Sequence, residues 1–233
     1  MEKVGISIQH AYDINTNKVE YSEILVRQYR GINGAYNILK YVKENNIEKE
    51  FDLNVLENLL IYVKSKESIH FPIAVNFCSN TIICDNIHDD IKNLIDKYDI
   101  DYNNIAIEIH EDTDLNDSRV VNNIRELKKL GLLIALDDFG ISKSNLSNIV
   151  GFNFDVIKLD KVFADHLNDK SFNGLNKSEV ILKYIKMLAN ELNIKTIVEG
   201  IETQEHLDVV SKLGFNYVQG YFYEKPIPLN FNE

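Results

Sequence analysis

Two adjacent aspartates follow an apolar run in the middle of the chain, where "LLIAL" (132–136) leads into Asp137-Asp138-Phe139-Gly140. Neighbouring carboxylates repel each other, and no basic residue adjoins the pair. A divalent cation would hold such a pair, because hard cations such as Mg²⁺ take carboxylate oxygens as ligands. The sequence should then supply further oxygen ligands elsewhere.

Polar residues also stand at or just beyond the ends of other apolar, β-branched runs. They are Glu23, Arg27, Asn76, Glu108, Lys158, Asp160, Glu199 and Gln219. A single polar residue at a strand end is usually a turn former or a helix cap. Here that explanation would have to hold for nearly every strand at once. In a (β/α)₈ barrel these ends meet at one mouth, where enzymes of that fold place their chemistry.

The residue types in this set indicate which cation would bind. Carboxylate and amide oxygens, without a Cys or His cluster, favour Mg²⁺ or Mn²⁺ over zinc. The carboxylates of this set carry more charge than one divalent ion requires, whereas two ions that share a bridging Asp would balance it. Such a pair generates a hydroxide and stabilises the attacking and leaving oxygens of a phosphodiester.

Two basic residues in the set each have two interpretations. The Lys158 ammonium could orient or deprotonate a water, or pair with a phosphate oxygen; alternatively it forms a structural salt bridge with a neighbouring Asp. The planar fork of Arg27 suits a phosphate, but Arg27 could equally be an ordinary surface arginine.

Strand and helix patterns alternate along the chain. Short apolar runs predict strands at Val4–Gln9, Val19–Val26, Phe71–Phe77, Ile105–Ile109, Leu132–Leu136, Val156–Leu159, Thr196–Val198 and Tyr217–Val218. Apolar residues at helical spacing predict helices at Leu53–Ser65, Ser118–Leu130, Ser178–Leu192 and Thr203–Leu213. Ser118 is the expected N-cap of the second of these helices, and Gly131 is its expected stop.

This alternation over about eight strands predicts an α/β fold, namely a closed (β/α)₈ barrel, with an open doubly wound sheet as the alternative. The polar turn at 13–18 is too short for a crossover helix, so the first two strands should pair antiparallel and modify the barrel at its start. With three prolines, ten glycines and no low-complexity linker, nothing marks a domain boundary. We expect a single domain over residues 1–233.

Composition excludes several classes of protein. The net charge of −11 argues against binding a nucleic acid polymer, which requires Lys and Arg to neutralise phosphates. A small phosphorylated ligand is still allowed, because a metal ion can supply the positive charge. No run approaches the ~18 apolar residues of a membrane span. The first residues lack a charged region followed by an apolar one, so we expect no targeting segment. Cys78 and Cys84 form no CxxC pair. We therefore expect free thiols without a chemical role, in a protein of the reducing cytoplasm.

Seven short motifs occur in order along the chain: "EILVR" (23–27), "VNFC" (75–78), "EIHE" (108–111), "DDFG" (137–140), "IKLD" (157–160), "VEGIET" (198–203) and "QGYFYEKP" (219–226). Together they resemble the EAL-domain family of cyclic di-GMP phosphodiesterases, from "IQHAY" (8–12) to Pro226. The resemblance implies a modified (β/α)₈ barrel with one antiparallel strand. It also implies hydrolysis of cyclic di-GMP to linear pGpG with two Mg²⁺ or Mn²⁺ ions.

The resemblance further implies a role for each matching position. The family's ligands of the first metal match Glu23, Asn76, Glu108 and Asp137. Asp137 would bridge to a second metal, whose remaining ligands match Asp138 and Glu199. Lys158 matches the lysine that holds the catalytic water, so the implied catalytic residues are Glu23, Lys158, Asp137 and Glu199. The positions implied to bind the dinucleotide are Gln9, Leu25, Arg27, Gln219 and Pro226. Glu111 matches an acid that steadies the loop after the Asp pair.

The chain departs from the family pattern at several positions. Ile24 stands where a small residue is usual, His10 where the family has proline, and His110 where it has threonine. After "DDFG", the segment Ile141–Asn145 replaces the pattern Thr-Gly-Tyr-Ser-Ser, with the loss of a glycine that could adopt positive φ. In relatives this loop couples the metal site to the dimer interface.

Three functions therefore stay open. The retained ligands and lysine favour the enzyme, whereas the altered loop favours a cyclic di-GMP receptor without turnover, and a protein-interaction module is the third alternative. We expect a homodimer, because the family interface lies near this loop. The first predicted strand begins at Val4, so we expect no sensor or cyclase domain before it.

Overall fold

The structure is a computed structural model that describes residues 3–66, 69–141, 149, 151–169 and 176–229. Its strands are β1 (Val4–Asp13), β2 (Val19–Tyr29), β3 (Ile32–Asn33), β4 (Ile73–Phe77), β5 (Ile105–His110), β6 (Leu133–Phe139), β7 (Val156–Leu159), β8 (Lys195–Val198), β9 (Tyr217–Val218) and β10 (Ile227–Pro228). Its helices are α1 (Ala35–Glu44), α2 (Glu48–Lys64), α3 (Ser79–Ile82), α4 (Ile87–Tyr98), α5 (Ser118–Leu130), α6 (Val162–Asp165), α7 (Lys177–Glu191) and α8 (Gln204–Lys212). A 3₁₀ turn at Tyr102–Asn104 precedes β5.

Eight of these strands close into a barrel in the order β1, β2, β4, β5, β6, β7, β8, β9 and back to β1. The strands from β2 to β9 pair parallel around the barrel, whereas β1 is antiparallel to both of its neighbours. The short strands β3 and β10 extend β2 and β1. The predicted barrel with one antiparallel strand is confirmed, and the pairing of β1 with β9 excludes the open sheet.

Small side chains line part of the barrel interior. Ala74, Ala106 and Ala135, from three successive strands, pack in one buried cluster with Tyr21 and Ile197. Because side chains alternate between the two faces of a strand, the branched residues between these alanines, such as Val75 and Ile107, pack in the larger core outside. Small residues inside the barrel leave room for the long side chains that reach its mouth.

One predicted N-cap and one predicted helix start were wrong, whereas the predicted bounds of α5, Ser118–Leu130, are confirmed. The N-cap of α5 is Asp117 rather than Ser118, because the Asp117 carboxylate accepts the backbone N–H of Arg119. A charged oxygen at this position also interacts favourably with the positive end of the helix dipole. Helix α2 begins at Glu48, ahead of the predicted start at Leu53. The predicted stop at Gly131 is confirmed, since this residue ends α5 with φ 104°.

Three other sequence expectations concern membrane-spanning helices, the two cysteines and the segment after the Asp pair. Within the described ranges, the structure contains no helix that is both long and apolar enough to cross a membrane. Cys78 and Cys84 are both free and half-buried. Of the segment that departs from the family pattern, residues 142–145 lie outside the described residues.

Candidate active site

Most residues singled out in the sequence lie at the carboxyl ends of the barrel strands. They are Glu23 on β2, Asn76 on β4, Glu108 on β5, Asp137 and Asp138 on β6, Lys158 on β7, Glu199 after β8 and Gln219 after β9. The parallel register sets their positions along the barrel axis, because it pairs Asn76 with Glu108 and His110 with Asp137. The barrel therefore brings these side chains to one mouth.

The centre of the site is the Lys158 ammonium, which is about 1% exposed. Its Nζ lies 3.0 Å from Glu23 Oε2, 3.1 Å from Glu108 Oε2, 2.9 Å from Asp137 Oδ1 and 2.9 Å from Glu199 Oε1. An ammonium has three N–H donors, so it cannot donate to four carboxylates at once. One positive charge also cannot balance four negative ones. The cluster is therefore suited to additional cations.

Burial and mutual repulsion shift the pKa values of this cluster. Burial raises the pKa of Glu108 well above its usual range and that of Glu199 to about 8, and Lys158 only partly offsets this. Burial acts against the charge on Lys158, but Asp137 and the other carboxylates outweigh it, so the Lys158 pKa lies well above its ordinary value. In the metal-free protein Lys158 therefore keeps its proton and forms the salt bridge to an Asp, here Asp137, that was one of its two interpretations.

Three polar neighbours hold the carboxylates of this cluster. Asn76 Nδ2 donates to Glu23 Oε1 at 2.7 Å, and Gln219 Nε2 donates to Glu23 Oε2 at 3.4 Å. Gln219 Oε1 is buried without a hydrogen-bond partner in the part of the chain that is described. Tyr21 Oη donates to Glu108 Oε1 at 3.0 Å. Tyr21 was missed in the sequence, although it stands two residues before Glu23 and so shares its face of β2.

Two groups of three acids could each hold a cation. Glu23, Glu108 and Asp137 each offer one oxygen, and these oxygens lie within 4.8 Å of one another. Asp138, Asp160 and Glu199 meet the same criterion. The donor set is entirely oxygen, which suits Mg²⁺ or Mn²⁺. Asp160 was not assigned as a ligand in the sequence, although its position two residues after Lys158 is a usable signal.

A β-bulge brings Asp137 and Asp138 to the same site. Successive side chains of a regular strand point to opposite faces, which would separate the pair. The pairing of β6 with β7 is irregular between Leu136 and Phe139, and Asp138 adopts the left-handed conformation with φ 55°. The backbone N–H of Gly140, at the end of the bulge, donates to the buried Glu111 Oε1 at 3.4 Å. Glu111 thus contacts the segment that follows the Asp pair.

His110 connects Asp138 to a second acid at the rim. Its Nε2 lies 2.9 Å from Asp138 Oδ2, and its Nδ1 lies 3.0 Å from Asp112 Oδ1. The hydrogen bond to Asp138 and the nearby charges outweigh burial and raise the pKa of His110 to about 9. The same contact lowers the pKa of Asp138.

A cavity of about 570 Å³ adjoins the acids. Its lining includes Asp137, Asp138, Leu25, Glu48 and Asp52. Of the five positions implied to bind a dinucleotide, Leu25 alone lines this cavity. Gln9 is buried opposite Glu23 in the β1–β2 pair, Gln219 contacts Glu23, Arg27 is exposed and Pro226 is half-buried.

Solved structures share this fold over nearly the whole chain. A structure described as the PaMucR phosphodiesterase in complex with c-di-GMP matches with a TM-score of 0.86 at 22% identity, over 97% of each chain. BlrP1 of Klebsiella pneumoniae, solved as a manganese/cy-diGMP complex, matches with a TM-score of 0.84 at 18% identity, over 97% of this chain and 56% of that one. At these identities the likeness shows the fold alone.

Sequence relatives show the family. The probable cyclic di-GMP phosphodiesterase PdeA of Escherichia coli is 32% identical over 97% of this chain and 31% of its own length. The cyclic di-GMP phosphodiesterase PdeA of Borreliella burgdorferi is 31% identical over 82% of this chain and 28% of its own length. The chain thus spans about a third of the length of these curated relatives. Because the model of the EAL domain family matches residues 6–226, nearly the whole sequence, the chain belongs to the EAL domain family.

Proposed function

We propose that the chain hydrolyses one phosphodiester of cyclic di-GMP to give linear pGpG, with two Mg²⁺ or Mn²⁺ ions. The observation that carries this proposal is the buried Lys158 ammonium facing four carboxylates, beside a second group of three acids. The names of the Escherichia coli and Borreliella relatives support the same reaction and substrate. The manganese and c-di-GMP complexes of structural neighbours support the ions and the ligand.

The residues divide into two cation sites that share Asp137. Glu23, Asn76, Glu108 and Asp137 form the first site, and Asp137, Asp138, Asp160 and Glu199 form the second. Bound divalent ions supply positive charge at the phosphate and lower the pKa of a coordinated water. The protonated Lys158 donates hydrogen bonds, so it orients the attacking water or a phosphate oxygen.

The positions around the mouth bind the rest of the dinucleotide in this proposal. Leu25 lines the cavity that Asp137 and Asp138 also line. Arg27 lies near the carboxyl end of β2, where its exposed guanidinium can reach a phosphate. Gln9, Gln219 and Pro226 complete the binding surface, and Glu111 holds the Gly140 N–H and so steadies the bulge.

Chromatography of cyclic di-GMP after incubation with the protein and Mn²⁺ tests the reaction. We expect linear pGpG from the wild type, none in the presence of EDTA, and a loss of at least about 100-fold for Glu23→Gln, because a buried metal ligand is removed. Glu20→Gln is the matched control, since Glu20 is exposed on the same strand. Tight binding of cyclic di-GMP without product would show that the protein is a receptor and not an enzyme. If the protein neither binds cyclic di-GMP nor forms product, a protein-interaction module is the remaining function.

We also propose that two copies of the chain associate through α7. Ile181, Tyr184 and Met187 stand at helical spacing on one face of α7 and are 47%, 64% and 54% exposed. An antiparallel pairing of two α7 helices centred on Tyr184 places Ile181 opposite Met187, and Lys177 opposite Glu191. The face is therefore complementary to itself in both apolar contact and charge, as a two-fold interface requires.

Sedimentation of the wild type and charge variants tests this association. Tyr184→Glu should yield a monomer, whereas Tyr36→Glu, at an exposed tyrosine on α1, should leave the dimer intact. Lys177→Glu should weaken the dimer, and adding Glu191→Lys should restore it by reversing the ion pair. A monomeric wild type, or no rescue by the second charge, would contradict the proposed interface.

We infer, finally, a single EAL-type domain over residues 1–233 and a cytoplasmic location. The described strands all belong to one sheet, which supports the single domain. The free thiols of Cys78 and Cys84 support a reducing compartment.

A further inference from the structure

His110 stands at the end of β5 between two carboxylates, with Nε2 2.9 Å from Asp138 Oδ2 and Nδ1 3.0 Å from Asp112 Oδ1. We propose that His110 is a positioning residue that orients the carboxylate of Asp138 towards the second cation. This inference rests on the proposed function, because it assumes that Asp138 is a metal ligand. It concerns a residue at which the chain differs from the family pattern, which has threonine there.

Asp138 needs such a restraint more than the other acids do. Its side chain is one-third exposed, whereas those of Glu23 and Glu108 are buried. Its backbone lies in the bulge with φ 55°, so no regular strand geometry directs the side chain. A carboxylate has two oxygens, and a hydrogen bond to one of them leaves the other oriented for a cation. Asp138 also lies with Asp160 and Glu199 in the second acidic group.

His110 is itself held from the other side. Asp112 Oδ1 accepts a hydrogen bond from Ser79 Oγ at 3.2 Å, and Ser79 Oγ lies 3.0 Å from Thr113 Oγ1. A chain of contacts therefore runs from Ser79, at the start of α3, through Asp112 and His110 to Asp138. Both ring nitrogens of His110 have a partner: Nε2 contacts the Asp138 carboxylate, and Nδ1 lies 3.0 Å from the Asp112 carboxylate and 3.4 Å from the Asp112 backbone N–H. Two such contacts fix the ring more firmly than one would.

The geometry favours orientation over direct ligation. His110 Nε2 is directed at an oxygen of Asp138, and Nδ1 is directed at Asp112. Neither nitrogen is among the ligand atoms of the two acidic groups, which lie within 4.8 Å of one another in each group. A residue that hydrogen-bonds a metal ligand from outside the ligand set typically changes metal affinity by about 10–100-fold.

Calorimetric titration of Mn²⁺ into the metal-free protein, without nucleotide, tests the inference. We expect two ions per wild-type chain. His110→Ala should weaken one of the two by about 10–100-fold and leave the other unchanged. His110→Gln should recover most of the loss, because its amide N–H can reach the position of Nε2. Asp112→Asn should weaken the same ion to a smaller degree. This variant should keep the fold, since Asp112 is 64% exposed.

The matched control is His166→Ala, which breaks a surface His–Asp pair in which His166 Nδ1 lies 2.7 Å from Asp169 Oδ2. This variant should bind both ions as the wild type does. Wild-type affinities in His110→Ala, tighter binding of the second ion, or equal weakening of both ions would each overturn the inference while the proposed function stands. A wild type that binds no divalent ion, or only one, would instead refute the two-ion function and the inference with it.

Discussion

Lys158 Nζ lies 3.0 Å from Glu23 Oε2, although 135 residues separate the two in the chain. Lys158 is on β7 and Glu23 is on β2, and β4, β5 and β6 lie between them on one side of the barrel. In an open sheet these strands would be four places apart, so the contact depends on closure of the barrel through β1. The site thus depends on a closed barrel.

Lys158→Met should destabilise the metal-free protein. Four carboxylates would then share a buried site without a cation, and breaking a buried ion pair typically costs about 3–5 kcal/mol. Urea unfolding at pH 9 with EDTA measures the loss in the free energy of unfolding. Added Mn²⁺ should restore much of it, because ions that bind only the native state stabilise that state.

Lys129→Met is the control for this prediction. Lys129 forms an exposed pair with Glu126 at 2.7 Å, and such pairs contribute at most about 1 kcal/mol. Equal stability of Lys158→Met and the wild type in EDTA would show that the four acids are neutralised in some other way.

Asn76→Ala should lower both Mn²⁺ affinity and turnover, by about 10–100-fold in affinity. Asn76 Nδ2 donates to Glu23 Oε1 at 2.7 Å, so the change removes a proposed ligand and frees the Glu23 carboxylate. Calorimetry measures the affinity, and product formation at saturating Mn²⁺ measures the remaining activity. Asn93→Ala, at an exposed position on α4, should change neither quantity.

The barrel and most of the acids were predictable because their signals are local. Each apolar run that becomes a strand ends on its own polar residue, and parallel strands carry these ends to one mouth. The antiparallel pair followed from the short turn at 13–18 alone. Even the pair Asp137 and Asp138 indicated a cation, since the repulsion between them is visible without a structure.

What could not be predicted depends on distances across the barrel or on local backbone geometry. Tyr21 has an ordinary position in the sequence, and its contact with Glu108 appears once the strands are paired. Asp160 was noted at a strand end, but its approach to Asp138 and Glu199 is seen only in the structure. The left-handed conformation of Asp138 has only a weak sequence signature, since aspartate adopts it far less often than glycine does. Helix α1 was missed, although Ile38 and Val42 at its buried face are four residues apart.

Mn²⁺ affinity should rise with pH between 6 and 9. Burial raises the pKa of Glu199 to about 8 and that of Glu108 well above its usual range. In the metal-free protein these groups hold protons below those values, and a cation must displace the protons to bind. Titrations in two buffers of different ionisation enthalpy should therefore show proton release at pH 7. Glu199→Gln should release fewer protons, whereas an affinity independent of pH would contradict the raised pKa values.

Gly140→Ala should destabilise the protein by about 1–3 kcal/mol, because Gly140 has φ +103°, a conformation strained for other residues. An added Cβ would also lie 2.5 Å from the Phe163 ring, so either the ring or the bulge that carries Asp138 must move. Urea unfolding in EDTA measures the first effect, and Mn²⁺ affinity measures the second. Gly151→Ala is the matched control, since its Cβ would meet nothing within 4 Å. It should be neutral or slightly stabilising. Equal stability of the two variants would show that the bulge tolerates a side chain at this position.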